Sequence, residues 1–483
     1  MIRFQLAALM IPACLAAATS AHAATDIFRS VGPGNTGAVD SGPLFNNLTV
    51  SGMTATFSQA LADEVGLGDV LAYTTTGFPP ADTVAFVHGR LSATQLRVAD
   101  AAGGTPPATI FMNPNWTSDR DYTSLADAET GAENTGIPAA LRDFDAWSGG
   151  KDLVASDETW HIACYADAAD TAAVTLSGWT TDAGHYLRMF APEAPGEVGT
   201  TQRHPGRWSS AAYALTVAND VALDIEAGHV RVEGLQIAVT AATTDGCQGV
   251  NINNDDSQTD IDVRVEQNLV RGVGATSFLY HYGIAVYMAG NGTVRMWNNV
   301  VYDFYGDASS SGLHLGDAQV TQYAYNNTIH HCRIGMLVYA GTSVPINVVT
   351  QDCADGFSGS FAAAADYNLS DLSGDAPGAN SKNSTIVAFV DAGNDDFHLA
   401  AGDTGARDAG TDLSGNPYLA FLDDVDGQVR SGAWDMGADE WQPTPTATPS
   451  LTPTETPTPT RTGTRTATGT ATRTETPTPT RTG

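Results

Sequence analysis

The sequence predicts an all-β protein of short strands and many turns, and three observations carry that prediction. Of its 483 residues 49 are glycine and only 16% are charged, which is typical of a turn-rich chain rather than one with long surface helices. Short runs that alternate apolar and polar residues, as half-buried strands do, recur along the chain. Between about 217 and 356 such runs form a repeat of two strands per 23 to 34 residues.

The composition also limits the partners of this chain. Acidic residues number 54 and basic residues 22, which gives a net charge of −32. Because a surface this acidic repels phosphate backbones and anionic lipids, we expect no nucleic-acid or membrane-surface partner. Lysine occurs only at Lys151 and Lys382, which leaves little chemistry that needs an amine.

Residues 1–23 have the pattern of an export signal. Arg3 supplies a positive charge, residues 4–18 are largely apolar, and Ala21-His22-Ala23 is a typical cleavage site. No other stretch reaches the roughly 18 unbroken apolar residues that a membrane-spanning helix needs. We therefore predict a secreted or cell-surface protein whose mature chain has no transmembrane segment.

Residues 24–150 are expected to form a β-rich N-terminal cap that contains one short helix at 122–130. The alternating runs of the cap are 54–57, 69–73 and 84–87. From 151 onward the apolar rhythm changes to that of first, irregular coils of the repeat. These runs are 160–164, 174–176 and 186–189.

The repeat combines a glycine strand with an asparagine strand. The glycine strands follow the pattern Gly-apolar-x-apolar and begin at Gly249, Gly283, Gly312 and Gly335. The asparagine strands have an Asn between two apolar positions, at Asn268, Asn299 and Asn327. Two short strands per repeat without a helical period predict the coils of a parallel β-helix over 151–360, because a coil can bury its apolar side only by stacking on the next one.

Stacking places like residues on like residues, so the three asparagines are expected to form a column. Asn tolerates the left-handed backbone of a corner, and its amide can hydrogen-bond to the Asn of the next coil. The same register pairs 263–270 with 294–301, and it sets Gln322 in the slot that holds Val263 and Val294.

The coils resemble those of the right-handed parallel β-helix proteins of the pectate-lyase-like superfamily. Residues 361–442 are expected to end the helix, and they closely resemble the choice-of-anchor Q domain of bacterial surface proteins, which often end in anchors. The resemblance is carried by Phe397-His398-Leu399, Ala406-Arg407-Asp408-Ala409-Gly410, Asp424-Val425-Asp426-Gly427-Gln428-Val429-Arg430 and Trp434-Asp435-Met436-Gly437-Ala438-Asp439-Glu440-Trp441. It implies the fold and surface display but no particular activity, since the superfamily includes lyases, hydrolases, adhesins and spacers.

Residues 443–483 consist almost entirely of Thr, Pro, Arg and Gly, and the segment 454–463 recurs identically at 474–483. Alternating Pro and Thr keeps a backbone extended and offers nothing apolar to bury. We therefore expect a disordered Thr/Pro-rich linker or stalk.

Four cysteines remain after the predicted cleavage: Cys164, Cys247, Cys332 and Cys353. We expect four buried, unpaired thiols. A disulfide between Cys332 and Cys353, which lie one short coil apart, is the open alternative.

An acidic turn is the candidate metal site. Asp255, Asp256 and Asp260 are close in sequence, and clustered carboxylates suit Ca²⁺, the one cofactor that the sequence suggests. The alternatives are a solvated acidic loop and catalytic carboxylates of the kind that glycosidases use.

The candidate binding surface lies on the outer side of the glycine strands. The second and fourth residues after each glycine point outward, and these slots include Tyr287, His314 and Tyr339, with Arg333 nearby. Aromatic faces stack on sugar rings and polar groups bind hydroxyls, so the pattern predicts a glycan platform. The alternative is that outward tyrosines merely suit any strand.

The catalytic elements of the superfamily are substituted in this chain. Arg333-Ile334-Gly335 resembles the Arg-Ile-Lys element of polygalacturonases, but Gly335 stands where that family has Lys. An arginine base stays open, with Arg264, Arg271 and Arg295 as candidates. We therefore predict an exported, surface-displayed, non-catalytic scaffold that binds an extracellular polysaccharide. The alternative is a polysaccharide lyase or glycoside hydrolase that acts on an extracellular uronate polymer.

Overall fold

A computed structural model describes residues 23–42, 46–75, 81–109, 115–145, 147, 149–243, 245–254, 259–273, 279–288, 290–316 and 319–443. Strands account for 42% of the chain and helices for 4%, which confirms the predicted all-β class. The described residues up to 441 form one compact unit. The predicted export signal, except residue 23, and the predicted tail, except residue 443, lie outside the described residues.

The regular elements of the described chain are short. The strands are β1 (Thr25–Val31), β2 (Asp40–Ser41), β3 (Leu48–Ser51), β4 (Thr54–Phe57), β5 (Val70–Thr74), β6 (Asp82–Ser92), β7 (Gln95–Ala99), β8 (Trp116–Asp119), β9 (Glu158–Cys164), β10 (Ala169–Asp170), β11 (Val174–Leu176), β12 (Leu187–Phe190), β13 (Ala214–Ala218), β14 (Val221–Ile225), β15 (His229–Glu233), β16 (Gln236–Thr240), β17 (Gln248–Asn253), β18 (Thr259–Glu266), β19 (Leu269–Val273), β20 (Tyr282–Met288), β21 (Asn291–Trp297), β22 (Val300–Tyr302), β23 (Ser311–Leu315), β24 (Val320–Tyr325), β25 (Thr328–His330), β26 (Ile334–Val338), β27 (Thr342–Ile346), β28 (Val349–Gln351), β29 (Asp355–Gly359), β30 (Leu369–Ser370), β31 (Phe389–Asp391) and β32 (Asp396–Leu399). The helices are α1 (Leu125–Thr130) and α2 (Leu153–Ser156), with 3-10 turns at Ala139–Leu141 and Ala392–Asn394.

Three parallel sheets make up most of the body. Sheet I has the order β1-β9-β12-β15-β18-β21-β24-β27, sheet II β10-β13-β16-β19-β22-β25-β28-β30, and sheet III β11-β14-β17-β20-β23-β26-β29. From β9 to β29 successive strands belong to sheets I, II and III in turn, and each strand pairs with the one three positions later. The predicted pairing of 263–270 with 294–301 is confirmed, since Val263 pairs with Val294 and Val270 with Val301.

Columns of like apolar residues fill the space between the three sheets. In sheet I, Val230, Val263 and Val294 stack in register and are fully buried. Inward residues alternate with outward ones along each strand, so every set of three successive strands, one from each sheet and called a coil below, adds one layer to a continuous core. Gln322 follows Val294 in this column, as predicted, and its side-chain oxygen accepts a hydrogen bond from the Ser343 hydroxyl, so the polar group is satisfied inside the core.

The predicted asparagine column lies at the corner between sheets I and II. The side-chain nitrogen of Asn268 donates to the side-chain oxygen of Asn299 at 3.0 Å, and Asn299 donates to Asn327 at the same distance. All three side chains are fully buried. Each amide therefore joins its own coil to the next one.

The left-handed backbone of this corner lies one residue earlier than predicted. The angle φ is +55° at Gln267, +54° at Asn298 and +50° at Asn326, each just before a residue of the column. The amide groups of these three residues donate to backbone carbonyls between 423 and 437. In each pair of neighbouring residues, the first therefore forms the left-handed turn and binds the C-terminal part of the chain. The second, the asparagine of the column, links its coil to the next one.

Residues 24–150 contribute to two sheets. Strands β2 to β8 form an antiparallel sheet of the order β2-β8-β5-β6-β7-β4-β3 with its own apolar core. By contrast, β1 pairs in parallel with β9 and so belongs to sheet I. The helix expected at 122–130 begins at Leu125, where the Ser124 side chain accepts the Asp127 N–H, and it ends at Thr130, followed by Gly131 with φ of +67°.

Residues 361–442, the closing segment, contain few strands and pack on the outside of sheets I and II. Phe421 lies against Trp297 of β21 and against Trp434, and Phe397 lies against Tyr302 of β22. The four cysteines are buried, and none of them forms a disulfide. Within the described residues, no helix has the length and apolar character that crossing a membrane requires.

Candidate functional site

A pocket of about 460 Å³ opens on the outer face of sheet III. It is built from β20, β23 and β26, which belong to three successive coils, and from the turns beside them. We call it the tyrosine pocket. The described residues that line it are Tyr280, Tyr282, Tyr287, Ser309, His314, Gly316, Leu337 and Tyr339.

The register of the parallel strands brings these side chains together. Ala285, His314 and Leu337 pair in one outward column of sheet III. Ala285 is small, so the longer side chains of Tyr282 and Tyr287 on the same strand can reach toward His314 on the next coil. Tyr339 directly follows the end of β26 and closes the pocket from the third coil.

The rings of the pocket form a buried floor and an exposed rim. Tyr282 stacks on His314 with ring centroids 4.1 Å apart and planes at 17°, and Tyr287 lies nearly parallel to His314 at 6.0 Å. Tyr282 and His314 are 2% and 7% exposed, whereas Tyr280, Tyr287 and Tyr339 are 48%, 51% and 80% exposed. A rigid base thus carries aromatic faces that are open to solvent.

His314 supplies a neutral polar group to this floor. Burial lowers the pKa of His314 to about 4, so the imidazole carries no charge near neutral pH. Neither ring nitrogen has a hydrogen-bond partner among the described residues, and Nδ1 is buried. A Cβ at position 316 would lie 3.2 Å from Nε2, so Gly316 keeps the space beside that nitrogen open.

Three of the four predicted ligand-binding residues meet in this pocket. Tyr287, His314 and Tyr339 line it, whereas Arg333 lies just before β26 and is not among the described lining residues. The sequence reasoning missed Tyr280 and Tyr282 because it counted outward positions only after Gly283. The sequence feature that could have identified them is the pair of tyrosines just before Gly283.

The predicted Ca²⁺ site is only partly within the described chain. Asp255 and Asp256 lie outside the described residues. Asp260 is exposed near the start of β18 and has a left-handed φ of +65°. The Ca²⁺ site therefore stays a prediction.

Three arginines of successive coils meet on the outer face of sheet I. Arg231, Arg264 and Arg295 pair in register, and all three contact the Asp262 carboxylate, at 3.1 Å for Arg231 and 2.8 Å for Arg264. Burial acts to raise the pKa of Asp262, but these guanidinium groups outweigh it and lower that pKa. Two of the three arginines are candidates for a catalytic base, yet each is held by an ion pair.

A group of three carboxylates in the closing segment was not predicted as a site. Carboxylate oxygens of Asp424, Asp426 and Asp439 lie within 4.8 Å of one another, close enough to share a metal ion. The pKa of Asp424 is raised to about 9, mainly by burial and secondly by the hydrogen bond with Asp426. Burial also raises the pKa of Asp439, to about 6.

His398 supplies positive charge to these three carboxylates. Its Nδ1 lies 2.6 Å from Asp396, and its Nε2 lies 3.4 Å from Asp426. Burial acts to lower the pKa of His398, but the hydrogen bond to Asp426 and the charges of Asp439 and Asp396 raise it to about 9. The protein's own imidazolium and the proton on Asp424 thus compensate the clustered carboxylates near neutral pH.

The tyrosine pocket differs from the other two clusters because the His314 nitrogens have no hydrogen-bond partner among the described residues and the rings of Tyr287 and Tyr339 are largely exposed. Open ring faces beside an unpaired imidazole suit a ligand that has both an apolar face and hydroxyl groups. Comparison of the chain with protein-family models, curated proteins and solved structures finds no match.

Proposed function

We propose that this chain is an exported, surface-displayed, non-catalytic scaffold that binds an extracellular glycan in the tyrosine pocket. For the body we infer a right-handed parallel β-helix of the pectate-lyase-like kind, closed by a segment like the choice-of-anchor Q domain. The passage of successive strands through three parallel sheets supports the helix. The export signal, the Thr/Pro-rich tail and the resemblance of the closing segment support display.

The tyrosine pocket is the observation that carries this proposal. The C–H face of a sugar ring stacks on tyrosine, and its hydroxyls need donors and acceptors nearby. Tyr287 and Tyr339 offer open rings, while His314 offers a nitrogen that no described protein group uses. Because the pocket stands on hydrogen-bonded strands of three coils, ordering it on binding costs little.

The proposal of a non-catalytic role rests on the groups that line the pocket. Glycosidases of most families need two carboxyl groups on either side of the scissile bond. None of the described lining residues is Asp or Glu, and the tyrosines and His314 are the described lining residues with ionisable side chains. The described lining can therefore hold a sugar but supplies no pair of carboxyl groups to cleave its glycosidic bond.

The competing function is a lyase or hydrolase that acts on a uronate polymer. The arginines around Asp262 favour it, because Arg264 and Arg295 were candidate bases and their charge suits an anionic chain. Their ion pairs with Asp262 argue against it, since a base must be able to lose its proton and arginine does so only with great difficulty.

Two assays on the purified protein separate these functions. We expect retention on immobilised polysaccharides, its loss in the double variant Tyr287→Ala, Tyr339→Ala, and no release of soluble products from neutral or uronate polymers. Tyr418→Ala is the matched control, because this tyrosine is 58% exposed and stacks on Tyr323 on another face. Product release that disappears in Asp262→Asn would overturn the non-catalytic scaffold and support the lyase or hydrolase.

A further inference from the structure

We propose that the tyrosine pocket accepts a neutral sugar unit and rejects uronic acids, an inference that rests on the proposed role of the pocket as a glycan site. It names the class of sugar that the pocket takes, and it sets this chain apart from proteins that hold acidic polysaccharides through rows of cations.

The first argument is the charge around the pocket. None of the described residues that line it carries a positive charge. Ser309, on its wall, donates a hydrogen bond of 2.6 Å to the Asp307 carboxylate, so a negative charge lies directly behind that wall. A sugar carboxylate placed here would lose water, gain no cation and face this anion as well as the net charge of −32.

The second argument is where the arginines lie. Arg333 is not among the described lining residues, so it does not supply the missing charge. The row formed by Arg231, Arg264 and Arg295 belongs to sheet I, a different face of the body, and is occupied by Asp262. None of these four arginines therefore belongs to the described lining of the pocket.

The third argument is the match between the pocket and an uncharged ring. The stack of Tyr282 on His314 fixes the orientation of the imidazole, and Gly316 leaves room beside Nε2 for one hydroxyl. Tyr287 and Tyr339 supply faces for the C–H side of the ring. The volume of about 460 Å³ lies in the lower part of the range of small-ligand pockets, about 300–1,000 Å³, which suits a short unit rather than a long stretch of polymer.

The test is isothermal titration of the purified full-length protein with two sets of oligosaccharides of equal length. The neutral set contains gluco-, galacto-, manno- and xylo-oligosaccharides, and the acidic set contains galacturonate, glucuronate and mannuronate oligomers. We expect at least one neutral sugar to bind 10-fold or more tightly than every acidic one. An acidic oligomer that binds as tightly as the best neutral one would overturn this inference but leave the glycan site intact. Binding to neither set would overturn the glycan site itself.

Three variants test the physical basis of the selection. His314→Phe keeps the stacked ring but removes both nitrogens, so the affinity for the neutral sugar should fall roughly 5-fold, the loss of about one neutral hydrogen bond. Gly316→Ala should also weaken binding, because its Cβ would lie 3.0 Å from the Val286 carbonyl and 3.2 Å from Nε2. Tyr418→Ala should bind like the unchanged protein.

A fourth variant adds the charge that the pocket lacks. Leu337→Lys places an ammonium group on a half-buried wall position, and it should raise the affinity for the acidic set at least 5-fold at low salt. No gain, in a protein whose melting temperature is unchanged, would contradict the electrostatic explanation.

Discussion

Replacing Asn299 by alanine tests the physical account of the stacked coils most directly. The side-chain oxygen of Asn299 accepts hydrogen bonds of 3.0 Å from the backbone N–H and from the side-chain nitrogen of Asn268. Its side-chain nitrogen donates to the Val265 carbonyl at 2.8 Å and to the Asn327 side chain at 3.0 Å. Asn299→Ala removes all four bonds from a fully buried position.

The expected loss follows from these four bonds. A hydrogen bond inside a protein contributes about 1 kcal/mol net, and leaving a buried N–H without a partner costs about 1–3 kcal/mol. The Asn268 N–H would be left in this way, so we expect the free energy of unfolding to fall by about 4 kcal/mol. Asn299→Asp should cost at least as much, because it keeps the acceptor but loses the donor and adds a buried charge.

Urea unfolding followed by circular dichroism measures this loss. Asn394→Ala is the matched control, because Asn394 is exposed and its side chain bonds only to Asp391 among the described residues, so the change should stay within about 0.5 kcal/mol. A loss in Asn299→Ala no larger than that of the control would refute the role of the column.

Two further predictions concern the closing segment and the glycine strands. Because the folded pKa of His398 is about 9 against an ordinary value of 6.5, its stabilising contribution is complete below pH 6.5 and is lost as pH rises through 9. The free energy of unfolding should therefore fall by up to about 3 kcal/mol over that range. In His398→Gln it should fall less steeply, and thermal melts at a series of pH values measure this difference. In Gly283→Ala the new Cβ would lie 2.3 Å from a methyl group of Val301 and 2.6 Å from the Gly312 carbonyl, so a loss of about 1–3 kcal/mol is expected in urea unfolding. Gly402→Ala, with nothing within 4 Å of the added atom, should unfold like the unchanged protein, and equal losses in both would contradict the packing argument.

The sequence predicted the stacking of parallel strands well, because one local pattern repeats along this part of the chain. The period of two along each strand sets which residues face inward, and the repeat sets which residues stack, so the pairing of Val263 with Val294 could be predicted without a structure. The place of β1 in sheet I could not, because its partners on β9 are some 130 residues away and no local pattern links the two strands.

The sequence predicted the site residues that occupy outward positions of the glycine strands, but it did not predict the other residues of the site. Tyr287, His314 and Tyr339 follow from the alternation along the glycine strands. Tyr282 depends on the backbone before Gly283, and Arg333 lies just before β26, outside the described lining of the pocket. The carboxylates of Asp424 and Asp439 were missed because the closing segment has no period from which contacts can be counted.

The hydrogen bonds between the corner residues and the closing segment also bear on how the body unfolds. Coils that touch only their neighbours can come apart from an end, one after another, with little cooperativity. Here the closing segment accepts hydrogen bonds from four successive coils. Because all four coils share this segment, a displacement of the segment from one coil also disturbs its hydrogen bonds to the others. The segment therefore links the stacked coils to one another and favours a single cooperative unfolding transition over a series of small ones. The donors are Gln267, Asn298, Asn326 and Asn347.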